Sequence, residues 1–327
     1  MIGRWVLGVD IGGTNLVVAS VPITGGQPIA IRSDPTHAQR GPEDAVERIA
    51  SMAEDIIEQT IQTEGGCRRD FSGVGIGCPG PLDLEQGILV NTPNLGWVGF
   101  PIRGRISDAL DMPASLDNDA NCATFGEWWQ GAGQGVRSLV GVTLGTGIGG
   151  GYIEGGQLMR GASGSAFELG HTTINFEGRA CACGNRGCLE AYTSGPSIAA
   201  RARDALAVGV PSVLPDIVGG DVNRITAETV YDALLEGDTL SVRLINETAD
   251  FLGIGLANIV NLFNPEMIVL VGGLTRAGDY LLDPLRESLS KRAFPSAVDA
   301  CQVVSGCFPD TAGVIGAAGV FVIGESA

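Results

Sequence analysis

Cys181, Cys183 and Cys188 fall within eight residues, and His171, one of two histidines in the chain, stands ten residues before them. Three thiolates and one imidazole form the tetrahedral donor set of a closed, structural Zn²⁺ site. Gly184 and Gly187 permit the tight turn that brings the sulfurs to one ion. Buried free thiols beside an ordinary histidine are the alternative, but the spacing is of the zinc-knuckle kind. Two carboxylates, Glu168 and Glu190, flank the cluster. A zinc-bound histidine keeps its second ring nitrogen free to donate a hydrogen bond, so His171 would also present an N–H to a substrate if it faces one.

Five further groups could carry binding chemistry. Asp10-Ile11-Gly12-Gly13-Thr14-Asn15 follows a short apolar run. Its glycines let backbone approach a phosphate or adopt positive φ, and Asp10 suits a hydrated Mg²⁺; a plain hairpin turn is the competing reading. Thr143-Leu144-Gly145-Thr146-Gly147-Ile148-Gly149 superficially resembles a dinucleotide fingerprint, yet it runs into Tyr152-Ile153, a strand pattern, where that fingerprint opens a helix. An anion-binding nest of N–H groups fits better. In Asp117-Asn118-Asp119-Ala120-Asn121 one polar residue is expected to cap a helix. An aspartate such as Asp119, just before a helix at the junction of two lobes, suits the base that accepts a hydroxyl proton in phosphoryl transfer. Asn94 and Trp97 offer an amide and a flat apolar face, a combination that suits a sugar, although such a Trp is as often packing. Gly272-Gly273 after an apolar strand would let an adenine ring lie against backbone.

The elements that must position these residues alternate between strand and helix. Apolar runs predict strands at 5–9, 16–21, 27–33, 73–77, 138–144 and 267–271, with shorter ones at 151–153 and 171–174. Apolar residues recurring every 3.6 positions (Val46, Ile49, Met52, Ala53, Ile56, Ile57, Ile61) predict a helix over 43–63. Helices are also expected at 119–130, 196–208, 226–236, 239–263 and about 311–322. A strand followed by a Gly turn occurs at 5–13 and again at 139–151, as expected of two lobes that clasp a nucleotide in a cleft.

The 327 residues include 20 Lys+Arg, 37 Asp+Glu and 50 Gly, for a net charge of −17 and a hydrophobic fraction of 44%. The acidity argues against a binder of nucleic-acid backbone, and the hydrophobic fraction against disorder. Glycine, at about twice its usual share of roughly 7%, shows no collagen period. The first residues do not read as a signal peptide, and no run approaches the roughly 18 apolar residues of a membrane span, so a cytoplasmic protein is expected.

With these motifs in hand, the chain resembles the ROK family of sugar kinases and repressors, and within it the zinc-containing ATP-dependent glucokinases. Glu168-Leu169-Gly170-His171 with CACGNRGCLE at 181–190 carries the resemblance, together with DIGGTN at 10–15, LGTGIGGG at 144–151 and VGGL at 271–274. It implies an α/β, actin-like ATPase (ribonuclease H-like) fold with two lobes, a small one of residues 1–118 plus 311–327 and a large one of 119–310 bearing the zinc. It implies transfer of the γ-phosphoryl group of Mg·ATP to the 6-hydroxyl of a hexose, glucose first. Asp119 would be the general base, and Asn94, Asn118, Glu168, His171 and Glu190 would hold the sugar. Asp10, Gly12, Gly13, Thr14, Asn15, Thr143, Gly145, Thr146 and Gly147 would surround the metal and phosphates, and Gly272 and Gly273 the adenine. His171, Cys181, Cys183 and Cys188 would hold Zn²⁺. A homodimer or homotetramer is implied, without nucleic-acid or membrane partners. The rivals are an N-acetylmannosamine kinase, which would differ in room around the sugar's 2-position, and a sugar-sensing regulator. The latter would carry a helix-turn-helix domain before the first strand, and a strand beginning at residue 5 disfavours it.

Overall fold

The computed structural model describes residues 4–324; residues 1–3 and 325–327, which the expected small lobe included, lie outside the described residues. The chain opens with β1 (Trp5–Ile11), β2 (Asn15–Pro22), β3 (Ala30–Pro35), α1 (Pro42–Glu64) and β4 (Phe71–Cys78). It continues with β5 (Leu82–Asp83), β6 (Ile88–Thr92), β7 (Trp97–Phe100), α2 (Ile102–Leu110), β8 (Ala114–Asn118) and α3 (Asp119–Gln130). Then come β9 (Ser138–Leu144), β10 (Ile148–Glu154), β11 (Gln157–Leu158), α4 (Glu190–Thr193), α5 (Gly195–Ala207), α6 (Leu214–Ile217) and α7 (Ala227–Leu235). The last are α8 (Thr239–Phe263), β12 (Met267–Val271), α9 (Asp279–Ser290), α10 (Pro295–Ala300), β13 (Gln302–Ser305) and α11 (Ala312–Gly324). Among the described residues no helix is long and apolar enough to cross a membrane.

Two five-stranded sheets have the orders β3-β2-β1-β4-β8 and β11-β10-β9-β12-β13, and β5-β6-β7 form a small third sheet. In the first sheet β2 runs antiparallel to β1, whereas β1, β4 and β8 are mutually parallel. The parallel strands β1 and β4 at its centre are buried, as parallel strands covered on both faces must be, whereas the edge strand β3 is mostly exposed. The periodic helix at 43–63 appears as α1, with Pro42 in its first turn and Ala45, Val46, Ile49, Met52, Ala53, Ile56 and Ile57 buried. One difference is local. Residues 171–174 form no strand; Leu169–His171 is a 3-10 turn, and Thr173 makes a single bridge to Cys188. There the His171 and Thr172 N–H groups close the 3-10 turn, and separate backbone bonds from Leu189 to Thr172 and from Ile174 to Gly187 stand in place of a continuous ladder.

The contacts define two compact units, one of residues 1–141, 151–167 and 310–327, the other of 142–150 and 168–309. The first therefore keeps α3, which the sequence reading gave to the other lobe. The reason is α11. It is buried on nearly every side, and it reaches β1, β4 and α3 so closely that only glycine fits. A side-chain carbon at Gly8 would lie 2.0 Å from the Val314 carbonyl oxygen, at Gly75 1.8 Å from that of Ala317, and at Gly316 1.6 Å from that of Cys122.

Candidate active site

In the first unit, strand register places the acidic residues. Asp10 on β1 pairs with Gly77 on β4, and Gly77 with Asp117 on β8. The three thus stand abreast at the carboxyl ends of parallel strands, where open α/β sheets bind ligands. Gly77 leaves room for the start of α3, since a carbon added there would be 3.1 Å from Cys122 Sγ and 3.7 Å from Asp119 Cα. Asn118 ends β8 and caps α3, its Oδ1 accepting from the Ala120 and Asn121 N–H groups at 2.9 and 3.2 Å. Its carbonyl oxygen is therefore engaged, and its amide Nδ2 is the group left to meet a ligand. Asp119 follows in the first helical position and accepts from the Ala120 N–H at 2.9 Å.

Burial, and then the nearby Asp119, push the Asp10 carboxyl up to about 7. A hard cation with oxygen ligands relieves such carboxylate crowding, so the pair fits a magnesium site. Gly313, in the first turn of α11, abuts Asp10; a side-chain carbon there would come within 2.3 Å of Asp10 Oδ2. The turn after β1 is closed by the Gly12 N–H donating to the Asn15 carbonyl at 2.9 Å. Thr36 braces it, its hydroxyl donating to the Gly12 carbonyl at 2.6 Å. Gly12 and Gly13 do not adopt positive φ; a carbon added at Gly12 would crowd the Asn15 carbonyl at 3.2 Å, whereas one at Gly13 would make only ordinary contact. Gly13, Thr14 and Asn15 are exposed. Asn94 joins them from the turn between β6 and β7, its Cβ lying 3.7 Å from where a Gly13 carbon would stand. Trp97 does not join them. It is buried in the core and its indole N–H donates to the Ala38 carbonyl at 3.0 Å, so it is a packing residue.

The second unit gathers the other half of the predicted residues. The loop from Gly145 to Gly149 is fixed at several points. The Gly145 N–H donates to the Gly147 carbonyl at 3.0 Å, Gly149 N–H to Thr143 Oγ1 at 3.1 Å, and Gly195 N–H to the Gly145 carbonyl at 2.9 Å. The Ile148 N–H is taken as well, by Glu190, so the expected nest is narrower than its glycine count and reduces to the N–H groups of Thr146 and Gly147 among the described residues. A carbon added to Gly145 would meet nothing within 4 Å, which leaves open space in front of the loop. Gly272, at φ 104°, turns the chain beneath it and lies too close to the Leu144 carbonyl for any side chain, 2.6 Å from an added carbon.

Glu190, in the first turn of α4, ties this loop to the cysteines. Its Oε2 accepts from the Ile148 N–H at 2.9 Å, and its Oε1 lies 3.9 Å from Cys181 Sγ. Burial pushes the Glu168 carboxyl up; His171 opposes that shift and Glu190 adds to it. The ligand atoms of His171, Cys181, Cys183 and Cys188 all lie within 4.8 Å of one another. Cys183 and Cys188 Sγ are 3.7 Å apart, and Cys181 Sγ is 3.8 Å from His171 Nδ1. A tetrahedral zinc with bonds of about 2.3 Å to sulfur and about 2.0 Å to nitrogen requires edges of about 3.5–3.8 Å. The residues fit that ion. With Nδ1 turned to the sulfurs, Nε2 is the nitrogen available to a ligand.

Sequence reasoning missed Arg160. Its Nε donates to Asp117 Oδ2 at 2.7 Å across 43 residues of chain, and no motif or spacing announces the pair.

The two α/β units, with glycine turns and carboxylates at strand ends, have the actin-like ATPase fold. The chain belongs to the ROK family, whose model matches residues 6–322. It is 34% identical over 320 residues to a glucokinase of Halalkalibacterium halodurans, spanning 97% of this chain and 94% of that one. A glucokinase of Thermotoga maritima is 35% identical over 315 residues, 96% of each chain. Among solved structures, a ROK family glucokinase from Streptomyces griseus in complex with glucose and AMPPNP superposes with a TM-score of 0.85 at 31% identity, over 97% of this chain and 98% of that one.

Proposed function

We propose that this protein is an ATP-dependent glucokinase that transfers the γ-phosphoryl group of Mg·ATP to the 6-hydroxyl of glucose. The observation that carries the reading is the near full-length likeness to a glucokinase that binds glucose and AMPPNP, joined to an aspartate at the first position of α3 beside a second carboxylate. In the reaction the sugar oxygen bonds to the γ-phosphorus as the bond to the β–γ bridging oxygen breaks. The hydroxyl proton passes to Asp119 and ADP leaves. Phosphoryl transfer depends on positioning and charge neutralisation more than on covalent help from protein. Asn94, the Asn118 amide, Glu168, His171 Nε2 and Glu190 would hold the sugar hydroxyls. Carboxylates accept hydrogen bonds from vicinal diols and repel sugar acids and sugar phosphates, which favours a neutral hexose. The Gly12–Asn15 turn, Thr143 and the Gly145–Gly147 loop would take the phosphates, and Gly272 and Gly273 the adenine.

Asp10 would hold Mg²⁺, which neutralises phosphate charge when bound. His171, Cys181, Cys183 and Cys188 would hold a structural Zn²⁺ that fixes the imidazole's orientation. A panel of neutral hexoses with Mg·ATP, ranked by kcat/KM, tests the substrate. Glucose is expected first; a clear preference for N-acetylmannosamine would replace it, and no phosphorylation of any hexose would end the kinase reading.

A further inference from the structure

We propose that Arg160 is a positioning residue for the base of phosphoryl transfer: it holds the buried Asp117 carboxylate and through it fixes the Asn118–Asp119 corner where β8 becomes α3. The inference rests on the role given above to Asp119.

The Asp117 side chain is 0% exposed. Its Oδ1 accepts from the Asn118 N–H at 2.8 Å and from Asn121 Nδ2 at 2.9 Å, and its Oδ2 from Arg160 Nε at 2.7 Å. The first two donors are neutral amides, and Arg160 brings the positive charge that a buried carboxylate needs. Asn121 shows how strongly Asp117 dictates its surroundings. The amide turns its Nδ2 to Asp117 although its own buried Oδ1 is then left without a partner. Flipping it would set that oxygen against the carboxylate and take this donor away from Asp117.

From Asp117 the contacts run directly into the reacting corner. The Asn118 N–H and side chain are both fixed, the side chain by capping α3, and Asp119 is the next residue. The acidic groups are close enough that, after burial itself, Asp117, Asp10 and Asp119 all push the Cys122 thiol up, while Arg160 lowers it. Without Arg160, Asp117 would be a stranded charge among them. It would turn away or draw in water, releasing the Asn118 N–H and the Asn121 amide. Arg160 also begins the segment leading to Glu168; the turn is closed by the Ala166 N–H donating to the Arg160 carbonyl at 3.2 Å.

The test measures kcat, KM for glucose and Tm for R160M, R160K, D117N and R160M/D117N, with D119N as the reference for loss of the base. Arg160 itself is 41% exposed, but Asp117 is fully buried, so truncating the arginine, which strands a buried carboxylate, is the damaging step, and removing both charges is milder. R160M is therefore expected to lose about tenfold or more in kcat while KM for glucose stays within about threefold. R160K should lose less than R160M, and R160M/D117N should recover at least about threefold in kcat over R160M. An R160M enzyme within about twofold of wild-type kcat, or a double variant no better than R160M, overturns the proposal. If R160M does not fold, R160K and R160K/D117N are judged by the same recovery. Loss of turnover in D119N but not in R160M sinks the positioning role alone, whereas near-normal turnover in D119N sinks the base assignment itself.

Discussion

Asp10 keeps its proton into a pH range where an ordinary aspartate has lost it, because it is buried and faces Asp119. Its folded-state value of about 7 stands above the ordinary 3.8, so between those values the folded chain binds more protons than the unfolded one. Stability is then greatest below about pH 4 with respect to this group and is lost as pH rises through about 7. In the ligand-free protein, Asp10→Asn should therefore raise Tm relative to wild type at pH 8, by about 3 °C or more, with the difference shrinking toward pH 5. Equal Tm differences at the two pH values, measured by scanning calorimetry, would remove the argument. Asp119→Asn addresses chemistry instead. It should leave KM for glucose within a few-fold and lower kcat by about 10²–10⁴, as read in a coupled ADP-release assay.

At the scale of elements, glycine decides how α11 meets the first sheet. Gly75→Ala places a methyl 1.8 Å from the Ala317 carbonyl oxygen, an overlap that neither backbone can relieve cheaply. It should destabilise the protein by at least about 1–3 kcal/mol, visible as a lowered urea midpoint; an unchanged midpoint would mean that α11 can shift. The cysteine loop is the second such element. Protein purified without chelator should contain about one zinc per chain, and Cys183→Ala should lose it and melt earlier, since metal binding to such loops is folding energy. Metal analysis showing no zinc in the wild type would end that assignment.

What could be read in advance follows from how each element is encoded. The helix α1 carries its period in its own residues, and the cysteine cluster carries its geometry in its spacing, so both were legible. Residues 171–174 differ because the β-branched run Thr172-Thr173-Ile174, which favours a strand, follows a 3-10 turn and makes only an isolated bridge to Cys188. Trp97 and Arg160 were not legible, because one is defined by burial under Ala38 and the other by a partner 43 residues away.

For the whole molecule, each compact unit is assembled from separated stretches of chain. The first takes in residues 1–141, 151–167 and 310–327. Its sheet, β3-β2-β1-β4-β8, draws on the first 118 residues, yet its face is covered by α11, made last. The net charge of −17 fits this picture only loosely: a protein that binds an anionic nucleotide through N–H groups and Mg²⁺ has no need of a basic field.

A chain emerging from the ribosome must therefore hold β1 and β4, with their bare glycines Gly8 and Gly75, uncovered while roughly 230 further residues are synthesised before α11, on the order of 10–50 s at 5–20 residues per second. Nascent chains stalled ahead of Ala312 should remain protease-sensitive across residues 5–141, and release of chains extended through Gly324 should close that window.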